Sequence, residues 1–209
     1  MPNPSLATEG WVLFKKPPAE TFQTFVVFSA EHGNLTVLKR MARTAGGSSQ
    51  PAMDLFDEVE LQIESRNQGQ TWFVHELRLI TRFGEIGRSY DSLRLASDFA
   101  ALVCRNHVGQ DSRARLYTLL RTSFSAFATA AHPEVVYFKS LYCFARDEGY
   151  PLKQQWLPTL PKALREQAEF LLRSPLAGLP ADSGKDPQLA LLQSRLEDYL
   201  RGHTDVLVG

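Results

Sequence analysis

Over residues 1–82, apolar and polar positions alternate in short runs interrupted by turn residues, the period of two expected of half-buried strands. Residues 11–16 read as a first strand, stopped by Pro17 and Pro18. Residues 21–29, rich in Phe and Val, read as a second, and Glu31-His32-Gly33-Asn34 supplies the turn into a third over residues 35–40. Residues 45–51 carry Gly46-Gly47-Ser48-Ser49 and are expected to form a mobile loop, having almost nothing to bury. Beyond them Val59, Leu61 and Ile63 alternate with Glu58, Glu60 and Glu64 around Gln62. Asn67-Gln68-Gly69 then turns the chain into a return strand over residues 71–80. Phe73, His75, Leu77 and Leu79 are expected on one of its faces, and Trp72, Val74, Glu76, Arg78 and Ile80 on the other. Five such strands suit a small closed barrel.

Near Thr81 the period changes to about 3.6, which marks helices. Leu95, Phe99, Leu102 and Val103 form one apolar stripe, and Leu116, Leu119, Leu120, Phe124 and Phe127 the next. A third helix starts at Pro133, turns Phe138, Leu141, Tyr142 and Ala145 inward and stops at Gly149. Pro158 and Pro161 precede a helix with Leu164, Ala168, Leu171 and Leu172 on one side, ended by Ser174-Pro175. Residues 176–185 read as a loop. Asp186 caps a last helix whose stripe is Leu189, Leu192, Leu196, Tyr199 and Leu200, with Pro187 in its first turn and Gly202 as its stop. The expected class is α+β: a five-stranded barrel of the oligonucleotide-binding type over residues 1–82, then a helical domain over residues 83–209. No repeat with a period of 20–50 residues is present.

Composition narrows the function classes. With 44% hydrophobic residues the 209-residue chain can build a core, which excludes a disordered chain. Lys and Arg (23) balance Asp and Glu (23), so any nucleic-acid binding must come from local patches rather than bulk charge. Cys104 and Cys143 are the only cysteines, too few for a disulfide framework or a four-cysteine zinc module, and a reducing compartment fits. The first residues lack a signal peptide's basic start and apolar run, and no apolar stretch is long enough to span a membrane. A soluble cytoplasmic protein is expected.

Common enzyme signatures are missing: no Gly-x-Ser-x-Gly elbow, no phosphate loop ending in Gly-Lys-Ser/Thr, no dinucleotide-type glycine fingerprint. The five histidines are scattered, with no i, i+4 pair to share a metal, and no metal or cofactor is expected. Glu58, Glu60 and Glu64 read as a solvated strand face, which would repel a phosphate backbone. Lys15 and Lys16 end the first strand, and Lys39, Arg40 and Arg43 enter the Gly/Ser loop. These cations suit either phosphate contacts or an ordinary solvated loop. Of the aromatics that bases could stack on, Phe25, Phe28 and Phe73 are assigned to the core, with Phe14 or Trp72 as outward candidates. Arg113, Arg115 and Arg121 surround one helical stripe and Lys139 and Arg146 lie on the next helix. They are either solvated or placed to grip an acidic peptide that ends in an apolar anchor and a carboxylate. Cys143 reads as core packing, and Cys104, followed by Arg105, is the more open to reactivity.

The N-terminal run also resembles a family. Gly10-Trp11-Val12-Leu13, Pro17, Glu20, Phe28-Ser29-Ala30-Glu31-His32-Gly33-Asn34-Leu35, then Lys39-Arg40 and Ala42-Arg43 before a Gly/Ser loop, look like the start of the bacterial recombination mediator RecO. The order of a barrel followed by helices, closing at Leu196-Glu197-Asp198-Tyr199-Leu200, extends the resemblance over most of the chain. Many members carry a four-cysteine zinc module after a Gly-Tyr-Pro-Leu-like segment. Here Gly149-Tyr150-Pro151-Leu152 runs on to Lys153-Gln154-Gln155-Trp156 without a cysteine, so no zinc is expected. The resemblance implies a non-catalytic DNA repair protein of homologous recombination that binds single- and double-stranded DNA and anneals complementary strands. It would help load RecA together with RecR and dock the acidic C-terminal tail of the single-stranded DNA-binding protein. The alternative is an adaptor of the same architecture that binds partner proteins and has little DNA affinity of its own; an enzyme ranks third.

Overall fold

In the computed structural model of the protein, residues 4–41, 51–180 and 182–209 are described. Arg43 and the whole of Gly46-Gly47-Ser48-Ser49, expected to form a mobile loop, lie outside them. The fold is α+β: among the described residues, five strands precede six α-helices. They form two compact units, Met1–Phe83 with His107–Tyr117, and Gly84–Asn106 with Thr118–Gly209.

The strands of the first unit are β1 (Ser5–Lys15), β2 (Phe22–Ser29), β3 (Gly33–Arg40), β4 (Glu58–Ser65) and β5 (Trp72–Thr81). Their pairing closes the sheet in the order β1-β2-β3-β5-β4, with every pair antiparallel except β3 and β5. Inside, Val12, Phe25, Val27, Leu35, Val37, Val59, Leu61, Ile63, Trp72 and Leu77 pack into one buried cluster with Met53.

Two of the departures from plain alternation in this sheet bear directly on the site. β1 starts six residues earlier than its apolar pattern suggests, because it serves two neighbours in turn: Ser5 to Trp11 pair with β4, and Trp11 to Lys15 with β2. The strand bends past β2 at Gly10, where a β-carbon would lie 2.4 Å from Val27 Cγ1 and 2.8 Å from the Phe28 carbonyl oxygen, so only glycine fits. The second irregularity is a bulge in β5. Gln62 faces Glu76 and Ile63 faces Val74, so β5 carries one extra residue, His75, at this point of the ladder. The alternation resets there. Trp72 and Val74 point inward with Leu77 and Leu79, and Trp72 is only 8% exposed, which corrects the outward candidacy of Trp72. Phe73 is correspondingly turned out of the core to which the sequence assigned it.

The second unit contains α1 (Tyr90–Arg105), the C-terminal part of α2 (Gln110–Thr129), α3 (Pro133–Asp147), α4 (Leu152–Gln155), α5 (Lys162–Arg173) and α6 (Pro187–His203). Each expected stripe is turned inward: Leu95, Phe99 and Val103, Phe124 and Phe127, Phe138 and Leu141, Leu164 and Ala168, and Leu192 and Leu196 are buried. Two helix ends follow the local chemistry that predicted them. Gly149 has φ +96°, and α3 ends with Tyr150 N–H donating to the Ala145 carbonyl at 3.1 Å and Gly149 N–H to that of Arg146 at 3.0 Å. The Asp186 carboxylate accepts from Gln188 N–H at 2.9 Å and from Gln167 Nε2 at 2.7 Å, capping α6. The segment read as a loop over residues 176–185 contains two short 3₁₀ turns, Leu176–Gly178 and Ser183–Lys185. No helix among the described residues is long and apolar enough to cross a membrane.

Candidate functional site

The outer side of the sheet is unevenly covered. Around Trp11, the ring of Phe83 stacks at 5.9 Å and that of Tyr117 lies at the same distance. Beneath this cover Glu58 is only 2% exposed, accepting from Tyr117 Oη at 2.9 Å and from Thr81 Oγ1 at 3.1 Å. The sequence placed Glu58 on a solvated face. A register shift between Glu58 and Val59, together with residues 107–117 of the same unit, buries it instead. Glu60 and Glu64 do lie on the outer side, where Arg78 pairs with Glu60, and His75 Nε2 lies 2.9 Å from Glu64.

Among the described residues, the opposite end of β2 and β3 is less covered on its outer side. Phe14 is 46% exposed, and its strand partner is Val26. Phe22 pairs with Arg40 and Phe73 with Leu38, which puts all four on the outer side by the alternation of their strands. The rings of Phe22 and Phe73 meet edge to face at 5.6 Å. Arg66, from the turn after β4, places its guanidinium carbon 5.6 Å from the centre of Phe73. Lys16 enters the same edge beside Thr24, to whose carbonyl its backbone N–H donates at 2.9 Å. The result is an outward strip of aromatic rings, Phe14 exposed and Phe22 and Phe73 half-buried, bordered by Lys16, Arg40 and Arg66.

The expected site residues divide accordingly. Lys16 and Arg40 are exposed on this edge, Lys39 is half-buried beside Gln23, and Lys15 is ion-paired with Asp54. Burial acts upward on the Asp54 carboxyl, but the hydrogen bonds from Lys15 and from Leu55 N–H, with the charges of Lys15 and Arg82, hold it below its ordinary value. The cations assigned to an acidic-peptide groove are divided between the two units. Arg113 donates to the Glu31 carbonyl at 3.0 Å, which ties the start of α2 to the β2–β3 turn. Arg115, in the same unit, is exposed and reaches Ser112 Oγ at 3.4 Å. Arg121 is exposed in the second unit, where Lys139 donates to the Ser174 carbonyl at 2.6 Å. Burial lowers the Lys139 pKa. Sequence reasoning missed Arg66 because only the register of the β4–β5 turn brings it over Phe73.

No family model matches the chain, and no curated protein matches it.

Elsewhere, burial pushes the Cys104 thiol up to about 11 and raises that of Cys143, so neither is poised as a thiolate. Among the described residues no cluster of His, Cys, Asp and Glu is arranged to hold a metal ion. What the outward strip can do chemically is stack planar groups and hold anions beside them.

Proposed function

We propose that this protein is a non-catalytic DNA-binding and strand-annealing protein of the RecO type, acting from the outer face of an oligonucleotide-binding barrel. One observation carries the reading: Phe22 and Phe73 in edge-to-face contact on the outer sheet face, with Arg66 over Phe73 and Lys16 and Arg40 at its border. Barrels of that type bind oligonucleotides on strands two and three and on the loops joining strands one to two and four to five. Here Phe22 and Arg40 lie on those strands, Lys16 opens the first loop and Arg66 opens the second.

The chemistry follows from the side chains. Each base offers a π-face, so stacking on phenylalanine is sequence-tolerant, while the cations neutralise phosphates and release counterions. A strand held this way carries less charge and meets its complement with less repulsion, a route to annealing that needs no nucleotide hydrolysis. The acidic stripe of Glu60 and Glu64 limits the contact to one side of the sheet. By resemblance, RecR and the acidic tail of single-stranded DNA-binding protein are the partners, RecA is loaded indirectly, and the work is cytoplasmic.

The test is the anisotropy of a labelled single-stranded oligonucleotide titrated with the protein at several salt concentrations, with annealing followed in the same samples. Expected are faster annealing and a log–log salt slope of about −2 to −3, from three or four phosphate contacts. Absence of binding at low salt would overturn the reading and leave the partner-protein adaptor in its place.

A further inference from the structure

We propose that Asp54 is an affinity-limiting residue, an intramolecular carboxylate that occupies Lys15 and must give way before that lysine can hold a phosphate. The inference rests on the DNA-binding reading above.

The placement of Asp54 is built rather than incidental. Residues 54–57 form a turn closed twice: Asp57 N–H donates to the Asp54 carbonyl at 3.3 Å, and Asp54 N–H donates to Asp57 Oδ2 at 2.8 Å. Phe56 within it has φ +65°, a strained conformation for a residue with a β-carbon. It is kept there by burial of its ring and by its N–H donating to the Val12 carbonyl at 2.9 Å. Asp57 is in turn fully buried and gripped by Arg82, through Nε at 2.9 Å and Nη2 at 2.6 Å, while the same Nη2 donates to the Ala52 carbonyl at 2.6 Å. The backbone that presents Asp54 is therefore fixed by a buried ion pair, and its carboxylate is delivered onto Lys15 from 39 residues away in sequence. Leu55 N–H donates to the same carboxylate at 2.7 Å and fixes its rotation.

Lys15 immediately precedes Lys16, which opens the loop between β1 and β2, and it pairs with Phe25 of β2 at that end of the sheet, so the pair with Asp54 lies beside the first loop rather than among the rings of the outer face. Both members of the Lys15–Asp54 pair keep substantial exposure, at 39% and 56%. Such a pair is weak enough for a phosphate to displace, yet it withholds one cation from the footprint. The carboxylate also repels a phosphate directly. Asp54 thus sets the affinity of the face below what its cations could give, which suits a protein that must release strands after pairing them.

The experiment compares wild type, Asp54→Asn, Lys15→Ala and the double variant on one labelled single-stranded oligonucleotide across a salt series. Asparagine keeps an acceptor for Leu55 N–H, so the turn is retained, and thermal unfolding confirms it. Asp54→Asn is expected to tighten binding about three- to tenfold and to steepen the salt slope by about 0.7, one added phosphate. The gain is expected to vanish in the double variant. Wild type that binds, with Asp54→Asn no tighter or with a gain that persists without Lys15, overturns this inference alone. Absence of binding by every variant overturns the DNA reading with it.

Discussion

Replacing Arg82 with alanine is expected to lower the stability of the strand-bearing unit by about 3 kcal/mol, read as a reduced urea midpoint in tryptophan fluorescence. The Asp57 side chain is wholly buried, and Arg82 is its charged partner. Removing that guanidinium leaves a carboxylate out of water with the Asp54 N–H as its remaining hydrogen-bond donor from the turn. The Asp57 hydrogen bond in turn holds the Arg82 pKa above its ordinary value. The loss falls at the lower end of what breaking a buried pair usually costs, because the Arg82 side chain itself is 42% exposed. Asp57→Asn, which leaves a neutral acceptor in place, is expected to cost less than half as much. Equal costs for the two variants would mean that the pair contributes hydrogen-bond geometry rather than charge compensation.

The second large effect concerns the aromatic strip. Changing Phe22 and Phe73 together to alanine is expected to weaken binding of a single-stranded oligonucleotide by about 2–4 kcal/mol, roughly thirtyfold or more, if each ring carries one base. The salt slope should stay constant, since no phosphate contact is lost. Changing Lys16, Arg40 and Arg66 to alanine should do the reverse, flattening the slope by about 2 units. Both rings are half-buried on the outer side of the sheet, so removing each should lower the thermal midpoint less than loss of Phe25, which is 1% exposed in the core. An alanine pair that binds as tightly as wild type would remove stacking from the account.

How far the sequence revealed this arrangement depends on the range of the interactions involved. The helix ends at Gly149 and Asp186 were legible because each is decided within a few residues, by a backbone angle or a carboxylate facing the next N–H groups. The strands were legible from alternation, and the exposure of Phe14 followed. Trp72 and Phe73 were assigned to the wrong sides because one extra residue in β5, at the bulge between Val74 and Glu76, resets the alternation, and a bulge leaves no mark in the hydrophobic pattern. Glu58 was misplaced for another reason. Its alternation is that of an outward residue, but Tyr117, 59 positions away, covers it. The same range effect hid the occupation of Lys15 by Asp54 and the use of Arg113 as a tie to the β2–β3 turn. Cations could be counted along the chain, but which of them are already engaged is a property of the fold.

The expected DNA contact can be located directly by photocrosslinking. A single-stranded oligonucleotide carrying 5-iodouracil, irradiated with the protein and mapped by mass spectrometry, is expected to crosslink at Phe22 and Phe73, with Phe14 as a weaker site. Crosslinks confined to the strand of Glu60, Gln62 and Glu64, or to the helical unit, would contradict a barrel face that stacks bases.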